Sequence, residues 1–282
     1  MSEEQAQRAE TFRELHHAPR LLLLPNVWDP LGARILAGLG YPAVATASAA
    51  VANSLGRNDG ERIPFSEMLR VIEAIAASVE VPVSADIESG YADDVDDLHE
   101  NVRQVIRAGA VGINLEDSPA EGSQLRPVEV QCRRIRAARL AADGEGIPLV
   151  INARIDVFLT GGGNRKRKIA EAVERGRAYV DAGADCLYPI GPGDVETLGT
   201  IRQETAAPVN AYAHAGTAPI PDLEAAGVGR LSLGPNLLRA AYTTLRDVAQ
   251  DLLDRGTYER FTDNVMSGSD LDAFLPTDDG RD

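Results

Sequence analysis

The chain has 282 residues, of which 44% are hydrophobic and 25% charged, so its composition is that of a water-soluble globular protein rather than a disordered or fibrous one. Its formal net charge of -15 creates a negative surface field that disfavours nucleic acid and anionic membranes as partners. The two cysteines form no CxxC motif, so nothing indicates a disulfide framework or a zinc site. A charged N-terminus without an apolar leader, and the lack of any run of 18 apolar residues, predict a cytoplasmic protein that does not span a membrane.

Short apolar runs recur along the chain, separated by stretches with helical periodicity, which is the pattern of βα units on a parallel sheet. The runs do not alternate with polar residues, as expected for strands that are covered on both faces. Eight runs are predicted as strands: Leu21–Pro25, Ala43–Ala47, Val83–Glu88, Gly112–Glu116, Leu149–Ala153, Cys186–Ile190, Val209–Ala213 and Arg230–Leu233.

Helical patterns fill the intervals, and a glycine follows the helical stretch just before four of the strands, as an αL helix cap requires. Eight such units predict an α/β protein with a single (β/α)8 TIM-type barrel domain over residues 1–282, in preference to a doubly wound open sheet. A long helix over Asn236–Arg255 and a short one near Tyr258–Met266 follow the barrel, and the acidic tail Thr277–Asp282 is expected to fray.

Polar side chains gather where the third, fourth and fifth predicted strands end, which is the side of such a barrel that builds the active site. The third strand ends in Asp86 and Glu88, the fourth in Glu116, and Arg154 follows the fifth. Because alternate residues of a strand share a face, Asp86 and Glu88 are predicted to point at one ion. Oxygen ligands favour Mg²⁺, or Mn²⁺, over zinc, and Asp86 is the expected direct ligand.

Each of these groups also has a purely structural interpretation. Acidic residues usually solvate loops or cap helices, and it is their clustering that favours a metal site. Arg154 is expected to bind a substrate carboxylate through its planar guanidinium, the alternative being an ion pair inside the barrel. Asp59 is expected to reach the ion through water, although Asn58-Asp59-Gly60 is also the sequence of an ordinary turn.

Seven segments together resemble the isocitrate lyase/phosphoenolpyruvate mutase superfamily, and the resemblance extends from Leu21 to about Tyr242. The segments are Pro25–Arg34, Ser54–Gly60, Ser84–Asp93, Gly112–Ser118, Ile151–Asp156, Tyr179–Asp185 and Arg230–Gly234. The resemblance implies an α/β barrel that binds Mg²⁺ and a 2-oxo acid or its enolate.

The resemblance also implies roles for single residues. Asp86 would be the direct metal ligand, and Asp59, Glu88 and Glu116 would hold the water molecules of the metal. The helices within residues 236–268 would pack on, or exchange with, a partner subunit in a dimer or tetramer. The implied substrate-binding residues are Thr46, Ala47, Ser48, Asp86, Arg154 and Asn210.

Three departures from the superfamily pattern bear on the reaction. Its isocitrate and methylisocitrate lyases carry a Lys-Lys-Cys-Gly-His loop after the fourth strand, and its mutases place lysine and asparagine there, whereas Ser118–Leu125 contains none of cysteine, lysine or asparagine. The usual Asp-x-Asp metal motif is here Asp86-Ile87-Glu88. At the end of the sixth strand, Leu187-Tyr188-Pro189-Ile190 replaces a stretch that often carries glutamate.

These features predict a Mg²⁺-dependent enzyme that breaks a carbon–carbon bond, as a lyase or decarboxylase, in a small 2-hydroxy or 2-oxo di- or tricarboxylate through an enolate. Arg154 and Glu116 are expected to take part in catalysis, and the proton donor is one of Tyr91, Tyr212 and His214. One alternative is phosphorus–carbon chemistry of the phosphonopyruvate hydrolase or phosphoenolpyruvate mutase type. Another is a barrel that binds an oxoacid without catalysis.

Overall fold

The computed structural model describes residues 2–120, 124–160, 162–263 and 265–276 as alternating strands and helices. The strands are β1 (Leu22–Leu24), β2 (Asn26–Val27), β3 (Val44–Thr46), β4 (Val83–Asp86), β5 (Gly112–Glu116), β6 (Val150–Ile155), β7 (Cys186–Pro189), β8 (Asn210–Tyr212) and β9 (Arg230–Ser232). The helices are α1 (Glu3–Leu15), α2 (Pro30–Gly38), α3 (Ser48–Ser54), α4 (Phe65–Ala76), α5 (Val95–Arg107), α6 (Val128–Glu145), α7 (Arg165–Asp181), α8 (Val195–Thr205), α9 (Ile220–Ala225), α10 (Asn236–Arg255), α11 (Glu259–Thr262) and α12 (Gly268–Asp272).

The strands form a closed parallel ring. β2 to β7 pair in chain order, and β1, β9 and β8 form a second ladder. The two ladders join because only Pro25 separates β1 from β2 and because Leu187 of β7 bridges to Val209, which precedes β8. Pro25 has no N–H to donate, which accounts for the break in the first predicted strand. The predicted (β/α)8 barrel is confirmed.

The third predicted strand corresponds to β4 and is shorter than predicted, which changes how Glu88 is positioned. β4 ends at Asp86, so the prediction that the strand continues to Glu88 is wrong. Glu88 has a φ of 53°, in the left-handed region that an extended strand does not use. Glu88 is therefore positioned by a turn rather than by the pleat of the strand.

Glycines at the predicted helix-to-strand joints have the expected conformation. Gly40, Gly109, Gly183 and Gly227 have φ values of 90°, 98°, 111° and 78°. These values explain why glycine recurs at the joints, since a side chain there would be strained.

Helix α1, which the sequence patterns did not predict, contacts the end of the barrel at which the strands begin. The side-chain amide of Gln5 donates to the carbonyl oxygens of Ile106 and Ala110, at 2.7 and 3.2 Å. The fully buried ring of Phe12 lies against Gly112, the first residue of β5. The active-site candidates lie at the opposite end, where the strands finish.

The long helix α10 is confirmed at its predicted bounds, but it buries little of its surface. Leu238 is its buried residue, whereas Tyr242, Leu245, Leu252 and Leu253 are exposed by 44%, 63%, 43% and 82%.

None of the helices in the described ranges combines the length and the apolar character that crossing a membrane requires. The tail Thr277–Asp282, which was expected to fray, lies outside the described residues.

Candidate active site

A cavity of about 190 Å³ opens at the carboxyl ends of the strands. Asp86 and Arg154 line it from the strand ends, and Asp59 lines it from the loop after α3. Ala47 and Ser48, which join β3 to α3, form another part of the wall. The predicted polar groups from different parts of the chain therefore meet at one end of the barrel, as the fold requires.

Asp86 is held by the residues that follow β3. Its Oδ2 accepts hydrogen bonds from the backbone N–H and the hydroxyl of Ser48, both at 3.0 Å. Its own N–H donates to Oγ1 of Thr46 at 2.8 Å. These contacts fix the carboxylate at the cavity wall and leave Oδ1 without any of them, so a cation can approach that oxygen.

Glu88 lies in a strained turn that a neighbouring loop holds in place. Its Oε2 accepts from the N–H of Glu61 at 2.8 Å, and Oε1 of Glu61 accepts from the N–H of Tyr91 at 2.9 Å and from the hydroxyl of Ser89 at 2.7 Å. Glu61, Glu88 and Tyr91 have positive φ values of 56°, 53° and 54°. Backbone strain of this kind concentrates at functional sites, where surrounding contacts maintain it.

Arg154 is engaged by two carboxylates rather than being free. Its Nη1 lies 2.5 Å from Oε2 of Glu116, and its Nε and Nη2 donate to the two oxygens of Asp156, at 2.7 and 3.0 Å. Asp156 is held in turn by the Ser118 hydroxyl at 2.7 Å. The guanidinium is thus fixed in direction, with a 17% exposed side chain.

The acidic residues perturb one another. Burial, together with Asp59 and Asp86, raises the pKa of Glu88 to about 8. Burial raises the pKa of Glu116 well above its usual range, against the opposing effect of Arg154. Desolvation by the surrounding protein and the charge of Asp86 also raise the pKa of Asp59, although this residue is exposed. Clustered carboxylates with raised pKa values mark a site where a bound cation would relieve the repulsion between their negative charges.

The donor set fits Mg²⁺ with most of its water molecules retained. All the candidate donors are carboxylate oxygens, which hard cations prefer. Within the described ranges, no three acidic, histidine or cysteine side chains converge closely enough to ligate one ion together. Mg²⁺ usually keeps several waters and takes one or two direct carboxylates, so this spacing agrees with a single direct ligand and contacts through water.

Three further residues that the sequence predicted for the site, Tyr91, His214 and Asn210, lie outside the cavity wall. The hydroxyl of Tyr91 donates to Oε1 of Glu88 at 3.4 Å. His214 is exposed, and its ring nitrogens contact the carbonyl oxygen of Gly191 and the N–H of Gly216, each at 3.0 Å. Asn210 is fully buried in the barrel, and its side-chain amide has no partner among the described residues. None of these three side chains lines the cavity.

Among the residues of this site that sequence reasoning missed, three bear on its chemistry. Tyr188 of β7 and Arg239 of α10 line the cavity, and Glu61 holds the turn that carries Glu88. A signal existed for Tyr188, because it lies in the stretch Leu187-Tyr188-Pro189-Ile190, which departs from the superfamily pattern. Arg239 and Glu61 stand in ordinary helix and loop sequences, and only the tertiary fold brings them to the site.

The loop Ser118–Leu125 is described only in part, because residues 121–123 lie outside the described ranges. Ser118, at its start, donates to Asp156 and so supports the Arg154 cluster. Leu125, at its end, packs against the main hydrophobic core. Both anchoring points of the loop are therefore next to the site or the core.

Comparison with known proteins identifies the family. The family model for phosphoenolpyruvate phosphomutase matches residues 12–253. An uncharacterized protein of Mycobacterium tuberculosis is 33% identical over 224 residues, which is 79% of each chain. Phosphoenolpyruvate phosphomutase of Streptomyces hygroscopicus is 30% identical over 88% of this chain and 81% of its own. The 2,3-dimethylmalate lyase of Eubacterium barkeri is 31% identical over 69% and 67% of the two chains.

Solved structures agree with this assignment. A protein of Burkholderia cenocepacia described as a lyase/mutase has a TM-score of 0.90 and 34% identity, with 97% of each chain covered. A phosphonopyruvate hydrolase in complex with oxalate and Mg²⁺ has a TM-score of 0.83 and 25% identity, with 95% of this chain and 94% of its own covered. The chain therefore belongs to the phosphoenolpyruvate phosphomutase family, within the isocitrate lyase/phosphoenolpyruvate mutase superfamily, and is an enzyme like its lyase and mutase relatives.

Proposed function

We propose that this protein is a Mg²⁺-dependent carbon–carbon lyase or decarboxylase that acts on a small 2-hydroxy or 2-oxo di- or tricarboxylate. The observation that carries the proposal is the cavity lined by Asp86, Asp59 and the fixed guanidinium of Arg154, with Glu116 in contact with that guanidinium. Such a site suits an anionic substrate on which an enolate oxygen gains negative charge during the reaction, because preorganised positive groups stabilise the charge as it develops.

Mg²⁺, with Mn²⁺ as a possible substitute, would be held directly by Asp86 and through water by Asp59, Glu88 and Glu116. When bound it supplies the positive charge that stabilises an enolate oxygen and the neighbouring carboxylate. The contact of Ser48 with Asp86 keeps that carboxylate in one orientation.

Arg154 is proposed to bind the C1 carboxylate of the substrate. The pairing of its Nε and Nη2 with Asp156 orients the guanidinium, and the contact between Nη1 and Glu116 is the one that a substrate carboxylate would compete with. A paired guanidinium offers directional hydrogen bonds as well as charge. Ala47 and Ser48 line the cavity and remain the proposed companions in substrate binding, whereas Thr46 and Asn210 are fully buried, do not line it and would act only by supporting its wall.

Arg239 gives the cavity a second cation, and this favours a substrate with more than one carboxylate. Its side chain lines the cavity from α10, and no carboxylate of the described residues forms an ion pair with it. An unpaired arginine at the rim can take up a second carboxylate of the substrate while Arg154 binds the first.

The test is turnover of a panel of 2-hydroxy and 2-oxo di- and tricarboxylates by purified protein with Mg²⁺. We expect release of pyruvate, glyoxylate or another short oxoacid from at least one of them, and loss of that activity in Asp86→Asn. Failure to cleave any member of the panel would overturn the proposal.

A second candidate function is phosphorus–carbon chemistry. The family match and the 30% identity to a phosphoenolpyruvate phosphomutase favour it. Against it stands the loop Ser118–Leu125, which lacks the lysine and asparagine of the mutases. Phosphorus NMR of phosphonopyruvate incubated with the enzyme distinguishes the two, because a carbon–carbon lyase leaves the C–P bond intact.

We further propose that the helices within residues 236–268 pack on a partner subunit, giving a dimer or tetramer. The support is the row of exposed apolar side chains on α10, since a monomer rarely leaves such a surface in water. Leu245→Glu and Leu253→Glu together should then lower the mass measured by light scattering to that of a monomer. The cytoplasmic location stays a prediction.

A further inference from the structure

Breaking the carbon–carbon bond leaves an enolate, and its carbon must receive a proton before the product leaves. The sequence-based candidates Tyr91 and His214 are engaged elsewhere, Tyr91 with Glu88 and His214 with the backbone at Gly191 and Gly216. Neither lines the cavity. The donor should instead be a neutral acid that faces the cavity.

Two phenols line the cavity, Tyr188 and Tyr212. The hydroxyl of Tyr212 lies 3.4 Å from the side-chain oxygen of Asn236, to which it donates. The hydroxyl of Tyr188 makes no hydrogen bond to any residue in the described part of the chain, although the side chain is only 5% exposed. A buried phenol that lines a ligand cavity and lacks a protein partner is available to the ligand.

Strand register places Tyr188 beside the substrate-binding arginine. Arg154 of β6 and Tyr188 of β7 are direct partners in the parallel ladder, so their side chains leave the sheet on the same face. Asp86, the proposed metal ligand, lines the same cavity. A substrate held by Arg154 and by the metal would therefore lie next to the phenol.

A buried arginine, Arg230, contributes positive charge that would stabilise the phenolate form of Tyr188. Arg230 is fully buried, its Nη1 has no partner, and it forms no ion pair with the described residues. Its Nη2 donates to the side-chain oxygen of Asn114 at 3.3 Å, and Asn114 lines the cavity. Burial raises the pKa of Tyr188, and the charges of Arg154 and Arg230 oppose that rise by stabilising the phenolate.

We propose that Tyr188 is the catalytic acid that protonates the enolate carbon, with Arg154 and Arg230 stabilising the phenolate that results. The proposal rests on the proposed lyase or decarboxylase function. A C–H bond forms at the enolate carbon as the O–H bond of Tyr188 breaks, and the electron pair of that bond stays on the phenolate oxygen. The enolate C–O becomes a carbonyl again, and water returns a proton to Tyr188 after the product has left.

The test compares Tyr188→Phe with Tyr212→Phe, which removes the same atom from the other phenol of the cavity. With Mg²⁺ and a substrate from the panel, single-turnover reactions quenched in a large excess of acidic D₂O follow the fragment released by cleavage. Product that was protonated on the enzyme carries hydrogen, whereas enolate that was still unprotonated takes up deuterium in the quench, so the two are measured separately. In Tyr188→Phe we expect about one equivalent of cleaved fragment per site, with protonated product formed about 100-fold or more slowly. In Tyr212→Phe, whatever the overall rate, the protonated product should form as fast as the fragment is released, because the acid of the proposal is still present.

Oxalate, an enolate analogue that needs no proton, provides a measurement that does not depend on turnover. Its affinity in the presence of Mg²⁺ should change by less than about threefold in Tyr188→Phe. If Tyr188→Phe forms the cleaved fragment and the protonated product equally slowly and also binds oxalate more weakly, the role of Tyr188 is structural and the proposal is overturned. Wild-type rates of formation for both products would overturn it as well. If the wild-type enzyme cleaves no acid of the panel, the proposed function fails and the role of Tyr188 fails with it, whereas a fully active Tyr188→Phe removes only the latter.

Discussion

Replacing Glu88 with glutamine should stabilise the metal-free protein and weaken its response to Mg²⁺. In the folded protein the pKa of Glu88 is about 8, against an ordinary value of 4.5. The folded state therefore keeps a proton that the unfolded chain releases, and the stability from this group declines as the pH rises from about 4.5 to about 8. Each pH unit in that window costs about 1.4 kcal/mol, which amounts to about 3 kcal/mol at pH 7.

Glutamine is neutral at every pH and can still accept the hydrogen bond from the N–H of Glu61. The hydrogen bond from the N–H of Glu61 to glutamine will be weaker than the one to glutamate. We therefore expect a gain of ~1–3 kcal/mol in the free energy of unfolding. For a chain of this size that raises Tm by roughly 2 to 12 °C. Since the variant loses one negative charge of the metal site, its affinity for Mg²⁺ should fall by about 10- to 100-fold.

The assay is thermal unfolding at pH 5, 7 and 8, with chelator and with Mg²⁺. In chelator the wild-type protein should lose stability between pH 5 and 8 relative to Glu88→Gln, and added Mg²⁺ should raise the Tm of the wild type more. Glu204→Gln is the matched control, because Glu204 pairs with Arg177 on the surface with its side chain 50% exposed. A Glu88→Gln protein that is less stable than the wild type in chelator at pH 8 would refute the reasoning.

Two further predictions concern the interior of the barrel. Asp117 is fully buried and accepts from Tyr179, Arg175 and the N–H of Asp156, at 2.8, 3.2 and 2.9 Å. Asp117→Ala should lower the free energy of unfolding by about 3–5 kcal/mol in denaturant titrations, because it removes the buried carboxylate that these donors share and leaves Arg175 only the more exposed Glu171 as an ion-pair partner. A loss below about 1 kcal/mol, typical of a surface pair, would contradict this. Burial and the charge of Arg230 lower the pKa of His16 to about 3. Below pH 6.5 the unfolded chain therefore binds a proton that the folded protein does not, so the free energy of unfolding decreases as the pH is lowered. His16→Gln should therefore lose about 2 kcal/mol less than the wild type between pH 7 and pH 5, and parallel pH curves would rule the effect out.

The barrel was predictable because every strand is buried on both faces and leaves the same apolar signature. Helix α1 was missed because its sequence is mostly polar, and its buried residues, Gln5, Ala9 and Phe12, are too few to produce a strong periodic pattern. The break at Pro25 follows from the missing N–H of proline, which could have been used to place the boundary between β1 and β2. Long-range packing, rather than local pattern, decides such cases.

For the candidate site, the sequence predicted which acids gather but not how they are held. The turn at Glu88 depends on Glu61, whose contact with it spans 27 positions in the chain and has no local signal. The pairing of Arg154 with Asp156 was not indicated by strand alternation, because Asp156 lies one residue beyond the end of β6. Arg239 lies on a helix whose sequence does not distinguish it from a surface arginine, so only the fold brings it to the cavity.

The measurement that tests the account most directly is calorimetric titration of oxalate into the wild-type protein and Asp86→Asn, with and without Mg²⁺. The account predicts that oxalate binds the wild-type protein only when Mg²⁺ is present, and that Asp86→Asn removes this binding while Glu204→Gln leaves it intact. Oxalate binding of equal strength in chelator, or undiminished binding in Asp86→Asn, would contradict the claim that Asp86 holds a metal at the mouth of this barrel.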